Sequence, residues 1–331
     1  MSAWEKMAAD NKEEKPGAQP AKAAPAKAAK SKVDKPLPPQ GGGLNPFAAL
    51  MKEQQLLQGA KNKTHRFVGI WGEDGTAKSG IVMDAFRNDP NKEEGAVLYA
   101  LDFDMGSSML ASAIHPDENI ISWNPWAMGT TDRTAYDYNA THSRVMTIMK
   151  FIIAQVKEGN PVWGVLISGV DSWLEICTNN MRIVDLGLAA DGIEAADGQG
   201  AAKVDSQSSW AIRNTRFHQL TQLSRDLVRL GVSVYWETHV KMTGNFYGPE
   251  SGRKAAPDWE KKTTNYIPNI IRMEAVEVMD ESGNVACTNY VARFVKCKTN
   301  PSLQDQERIV FTTKAGEEPT WVGLPELYTE L

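Results

Sequence analysis

Gly72-Glu73-Asp74-Gly75-Thr76-Ala77-Lys78-Ser79 decides how this chain is read. It stands one residue away from the phosphate-binding loop pattern G-x-x-x-x-G-K-[ST], with Ala77 where the pattern has glycine. The flanks supply the structural context that the pattern needs. Arg66-Phe-Val-Gly-Ile-Trp71 is a short apolar run that reads as a buried strand, and Ser79-Gly80-Ile-Val-Met-Asp-Ala-Phe86 reads as the first turns of a helix. A tight loop between a strand and a helix N-terminus turns backbone N–H groups inward, and the helix dipole favours negative charge there. On this reading Gly72 to Gly80 cradle the phosphates of a nucleotide, Lys78 reaches the β- and γ-phosphates, and the Ser79 hydroxyl binds Mg²⁺. Ala77 is expected to keep a negative φ, because only then is its methyl group tolerated.

Outward from the loop, strand-like and helix-like stretches alternate. Ala96–Leu101, Pro161–Ile167 and Gly231–Trp236 read as buried strands. Thr141–Lys157 carries Val145, Ile148, Met149, Ile152 and Val156 at helical spacing, and Ala211–Leu230 is a long amphipathic helix. This alternation predicts a mostly parallel α/β sheet with helices on both faces. After Ile267 the texture changes: Ile270–Met279, Val285–Cys297 and Glu307–Thr312 read as antiparallel strands finishing one edge. Two segments, Asn179–Ser209 and Lys241–Thr264, read as long irregular loops, which in a compact domain are usually functional or disordered.

The chain has 331 residues and a net charge of −5. Residues 1–65 carry a balance of +5, which leaves −10 for the remainder, so any nucleic-acid contact needs a local basic patch. Residues 1–43 are rich in Ala, Lys and Pro and read as a disordered tail, either a basic arm for nucleic acid or a solubilising linker. Residues 44–64 read as a short amphipathic helix and linker, capped by Asn45 with Pro46 in its first turn, and 65–331 as the core domain. No apolar run is long enough to span a bilayer and none resembles a signal peptide, so a cytoplasmic location without membrane contact is expected. Three cysteines without CxxC spacing indicate neither a zinc site nor a disulfide framework.

Further candidates lie at strand ends. Gly164-Val-Leu-Ile-Ser-Gly-Val-Asp171 is an apolar strand running into an acid, which assigns Asp171 with Ser79 to the Mg²⁺ shell. Hydrolysis needs a carboxylate to orient water, and Asp104 is the first candidate, with Asp102 and Glu237 behind it. Thr238 and His239 end the strand after the long helix and could sense the γ-phosphate. Lys296 and Lys298 share one strand face and could reach a phosphate across a subunit boundary, or could simply guard a solvated edge. Lys241, Arg253, Lys254, Lys261 and Lys262 are interleaved with Phe246, Tyr247 and Trp259. Cations that track phosphates and aromatics that stack on bases suit single-stranded nucleic acid, although a plain surface loop fits too.

The order of these motifs across residues 65–312 resembles the RecA-like P-loop ATPases, most of all the phage-encoded members that assist single-strand annealing and recombination. The resemblance implies ATP and Mg²⁺ between adjacent subunits of a ring or filament, single-stranded DNA as partner, contact with a single-strand-binding protein, and the host cytoplasm as location. It implies that Asp104 stands where the family has a catalytic glutamate, one methylene shorter. Lys296 and Lys298 would reach the neighbour's phosphates, and Lys241–Thr264 would be a DNA-binding loop. Two other readings keep the fold: a P-loop ATPase acting on a protein partner, and a nucleotide-binding scaffold with little turnover.

Overall fold

The computed structural model describes residues 66–129, 136–187, 207–243, 254–329 and 331. The expected tail and the 44–64 helix lie outside the described residues, as do most of Asn179–Ser209 and the middle of Lys241–Thr264.

The described chain forms a mixed α/β fold around a nine-stranded, mostly parallel sheet. In chain order its elements are β1 (Phe67–Gly72), α1 (Lys78–Asn88), β2 (Val97–Asp102), α2 (Gly106–Ile114), β3 (Ile120–Trp123), α3 (Tyr138–Lys157), β4 (Val162–Ser168) and α4 (Val170–Val184). Then come α5 (Gln207–Arg229), β5 (Ser233–Thr238), the hairpin β6 (Val240–Thr243) and β7 (Lys254–Pro257), α6 (Thr263–Tyr266) and β8 (Asn269–Met279). The chain closes with β9 (Val285–Cys297), β10 (Glu307–Thr313), β11 (Thr320–Trp321) and α7 (Glu326–Thr329). Across the sheet the order is β11-β10-β9-β8-β1-β5-β4-β2-β3. Strands β8 to β3 in that order run parallel, and β9, β10 and β11 add antiparallel strands at one edge.

Alternation along the strands splits the core in two. Leu101, Ile167 and Trp236 face α3, α4 and α5, where Val145, Met149, Trp173, Ile176, Phe217 and Leu220 pack. Ile70, Leu98, Leu166 and Tyr235 face α1, where Ile81, Val82 and Phe86 pack. Helices therefore cover both faces, which is why the parallel strands read as continuous apolar runs. At roughly 25 cal/mol per Å² of buried apolar area, these two clusters are the main driving force of the fold.

Three strand-to-helix junctions share one device, a left-handed residue before the first helical one. They are Ala77 (φ 63°) before α1, Met105 (φ 59°) before α2 and Gly169 (φ 85°) before α4. Each lets a helix start directly over the C-terminal end of its strand. Ala77 thus departs from the expected negative φ. The methyl group is tolerated at a cost of roughly 1–2 kcal/mol, because the loop must reverse there whichever residue it carries.

Candidate functional site

The loop from Gly72 to Ser79 lies at the C-terminal end of β1, between that strand and α1, as its sequence predicts. Gly72 has no alternative: a Cβ there would lie 2.4 Å from the Met273 carbonyl oxygen and 2.8 Å from Thr76 Oγ1. Gly75 takes φ 71° at the loop tip. The Thr76 hydroxyl donates to the Glu73 carbonyl at 2.7 Å, and the Lys78 amine donates to the carbonyls of Gly72 (3.1 Å) and Glu73 (2.8 Å). Lys78 therefore lies over the loop, and burial holds its pKa below the usual lysine value although Glu237, Asp74, Asp171 and Asp104 pull it up. Gly80 sits within α1 against Trp321.

Glu237, near the end of β5, is the carboxylate against the loop. Its Oε2 accepts the Ser79 hydroxyl at 2.7 Å. The side chain is buried and Oε1 has no hydrogen bond of ordinary geometry. Burial pushes its pKa up to about 7, a rise that Ser79, Lys78 and the neighbouring Ser168 hydroxyl only partly offset. Asp102, at the end of β2, is also fully buried. Its Oδ2 accepts both the backbone N–H and the hydroxyl of Ser108, while Oδ1 has no partner. Ser107, in the first turn of α2, brings its hydroxyl to 3.4 Å from that of Ser79.

Asp171 differs from its expected place. β4 ends at Ser168, Gly169 makes the left-handed turn, and Asp171 lies in the first turn of α4. Its Oδ2 is 2.9 Å from His239 Nδ1 and its Oδ1 is 3.2 Å from the Thr238 hydroxyl, which also donates to the Asp258 carbonyl at 2.7 Å. Burial alone would raise this carboxylate, but the bond and charge of His239, with backbone and Thr238 bonds, hold it below its usual value. The other His239 nitrogen lies 2.8 Å from Asp74 in the phosphate loop. Each ring nitrogen faces a carboxylate, so the imidazolium is the form that satisfies both, and the hydrogen bond to Asp171 raises the His239 pKa. Asp74, His239 and Asp171 thus tie the loop to α4 at the root of the β6–β7 hairpin.

Asp104 stands beside this group. A Cβ on Gly169, which holds φ 85°, would lie 2.7 Å from its Oδ2, so a side chain there would be strained and would displace this carboxylate. Burial and the charge of Asp171 raise its pKa, and the Ser172 hydroxyl is 3.5 Å away.

The remaining candidates divide. Lys296 donates to the carbonyls of Thr264 and Ile267 and so closes the end of α6. It pairs in register with Ile270, at the start of β8, whereas the phosphate loop lies at the far end of the neighbouring β1. Lys298 follows β9 at the same edge. Neither is brought to the loop of Gly72 to Ser79 within this chain. Trp259 is 2 % exposed and packs over Gly69, so the expected base-stacking role is corrected: it is a core residue. Lys241 binds Asp258 at 2.9 Å and the Trp259 carbonyl at 3.0 Å. Lys254, Lys261 and Lys262 are exposed, and Phe246, Tyr247 and Arg253 lie outside the described residues. Ser107 and Ser168, both buried, escaped the sequence reading. Only the Gly106-Ser-Ser run after Asp102 hinted at the first.

No family model matches the chain, and no curated protein is significantly similar to it. Among the described residues, no helix is long and apolar enough to cross a membrane, and no three His, Cys, Asp or Glu side chains form a metal-binding group by themselves.

Proposed function

We propose that the chain is a RecA-like P-loop ATPase that binds ATP with Mg²⁺ and couples it to single-stranded DNA. The observation that carries this reading is the convergence at one sheet edge. The loop with its Lys78 meets carboxylates from β2, α4 and β5 at the carboxyl ends of parallel strands, where open α/β sheets bind ligands. Lys78 and the loop amides neutralise the phosphates and fix their position. Ser79 and the carboxylate beside it, Glu237, would hold Mg²⁺, which would supply charge neutralisation for the phosphates. Asp104 orients the attacking water, its raised pKa suiting a group that must accept a proton. His239 faces both the loop and α4 and begins the hairpin flanked by Lys254, Lys261 and Lys262, so a change at the phosphate reaches a cationic surface through one side chain.

The test is Mg²⁺-dependent ATP hydrolysis with and without single-stranded DNA, beside Lys78→Ala. Stimulation by DNA that disappears in the variant is the expected result, together with salt-dependent DNA binding that weakens when Lys254, Lys261 and Lys262 are neutralised. One observation favours a protein partner instead. α2, which starts at the site, exposes Met109 (73 %) and, just before it, Met105 (58 %). Hydrolysis indifferent to DNA would select that reading.

A further inference from the structure

Asp102, Ser168 and Glu237 form one row across the sheet. Asp102 pairs in register with Ser168, and continuing the β4–β5 register places Ser168 beside Glu237. All three point to the face that carries α1 and α2, and Ser79 and Ser107 lie over them. The strand next to β5 therefore ends in a hydroxyl, with a buried carboxylate on either side. Among the described residues Asp102 Oδ1 has no hydrogen-bond partner, and Glu237 Oε1 has none of ordinary geometry, with only the Ser168 hydroxyl acting on that carboxylate from its own row. Buried carboxylate oxygens without donors are costly unless a proton or a cation meets them, and a cation can bridge two of them at once. Asp171, by contrast, has one oxygen on His239 Nδ1 and the other 3.2 Å from the Thr238 hydroxyl, whose single proton is shared with the Asp258 carbonyl.

Charge points the same way. Asp74, Asp104, Asp171 and Glu237 all act on Lys78, and Asp102 acts on Glu237. Five carboxylates thus face one lysine and one histidine. A nucleotide triphosphate is itself a polyanion, so this edge repels it until a cation is in place.

We propose that the chain holds one divalent cation before any nucleotide arrives, on Glu237 and Asp102 with the Ser79 and Ser107 hydroxyls, and that Asp171 is not a ligand. Two carboxylates, two hydroxyls and retained water are a donor set that suits Mg²⁺ or Mn²⁺, hard ions that take oxygen ligands and keep part of their hydration. The pre-loaded cation turns the loop into a seat for phosphate. This deepens the ATPase reading and rests on it for the role of the cation, though not for its binding.

The experiment titrates Mn²⁺ into the nucleotide-free full chain and follows the electron paramagnetic resonance signal of the free ion. One ion per chain, displaced by Mg²⁺, is expected. Glu237→Gln and Asp102→Asn should each weaken it at least 10-fold, and Asp171→Asn less than 3-fold. Should the buried substitutions prevent folding, Ser107→Ala removes only a hydroxyl and should weaken Mn²⁺ about 3-fold. No Mn²⁺ binding without nucleotide, binding lost only in Asp171→Asn, or binding insensitive to Glu237, Asp102 and Ser107 overturns the proposal. A fluorescent ATP analogue titrated in parallel separates the two ideas. Cation binding without analogue binding would sink the ATPase reading and leave the cation site standing.

Discussion

Asp171 and Glu237 lie beside the same lysine, and the fold treats them in opposite ways. Asp171 sits in a helix turn with a histidine on one oxygen and a threonine near the other, and its pKa falls. Glu237 sits lower on a strand, where burial outweighs the Ser79 and Ser168 hydroxyls and the charge of Lys78, and its pKa rises to about 7. The difference is one of supply. Residues beyond a strand end can recruit side chains from neighbouring loops, as Asp171 recruits His239. A residue still inside the sheet meets only its row neighbours, here Ser168 and the loop above. A satisfied acid organises protein, and an unsatisfied one waits for a ligand.

The sharpest break in the comparison is Lys78→Ala, which removes the lysine that both acids act on. Nucleotide affinity should fall at least 100-fold, about 3 kcal/mol, by titration of a fluorescent ATP analogue. The Asp171–His239 contact does not depend on Lys78, so the fold should survive and the histidine should keep its raised pKa.

Next in size is Glu237→Gln measured in a chelator. The carboxyl has an ordinary value of 4.5 and is pushed up to about 7 in the fold. Below the lower value both folded and unfolded chains are protonated and the group costs nothing. Between the two values the unfolded chain ionises first, so stability falls as pH rises, and above 7 the full penalty applies. The glutamine variant should therefore match the parent near pH 4 and exceed it by on the order of 3 kcal/mol at pH 8, read by denaturant unfolding. A parent that gains stability across that window would contradict the buried, unpaired state of Glu237.

The converse variant is Asp171→Asn. His239 has its pKa raised first of all by its hydrogen bond to Asp171, so the contribution is present below the unfolded value of 6.5 and is lost as pH rises through the folded one. The ring is partly exposed, and after solvent screening the loss is about 1 kcal/mol at pH 6. The more direct readout is the nuclear magnetic resonance titration of His239, which should move toward 6.5 in the variant. If it does not move, Asp74 alone sustains the charge and the two acids differ less than the geometry says.

The contrast between these acids also marks what the sequence could reveal. The 72–79 loop, β2, α3, β4, α5, β5 and the strands β8, β9 and β10 were legible, because buried strands read as apolar runs and helices as periodic ones, although β8, expected to be antiparallel, runs parallel to β1 and turns the sheet antiparallel only at β9. α2 was not, since Met105 and Met109 are exposed and it has no polar cap. Nor was β3, a half-buried edge strand of four residues. Asp171 was read as a strand-end acid because apolar Val170 precedes it, yet Gly169 at φ 85° had already turned the chain. Trp259 has the composition of a stacking residue, and only packing over Gly69 shows that it belongs to the core. The row Asp102–Ser168–Glu237 is a register property and cannot be read along the chain.

The smallest effect tests the loop that both acids serve. Ala77 holds φ 63° and caps α1 without a side-chain hydrogen bond. The left-handed conformation costs an alanine roughly 1–2 kcal/mol. Glycine would remove that cost but would lose about 0.5–1 kcal/mol through its freer unfolded chain. Ala77→Gly should therefore stabilise the fold by about 0.5–1 kcal/mol, seen as a rise of a few degrees or less in Tm. The histidine titration and the pH profile attributed to Glu237 should both stay as they are, because the strain is local to the turn. A loss of stability would mean that the methyl group makes contacts worth more than the strain. The departure from the phosphate-loop pattern would then be a packing feature of this chain rather than a tolerated cost.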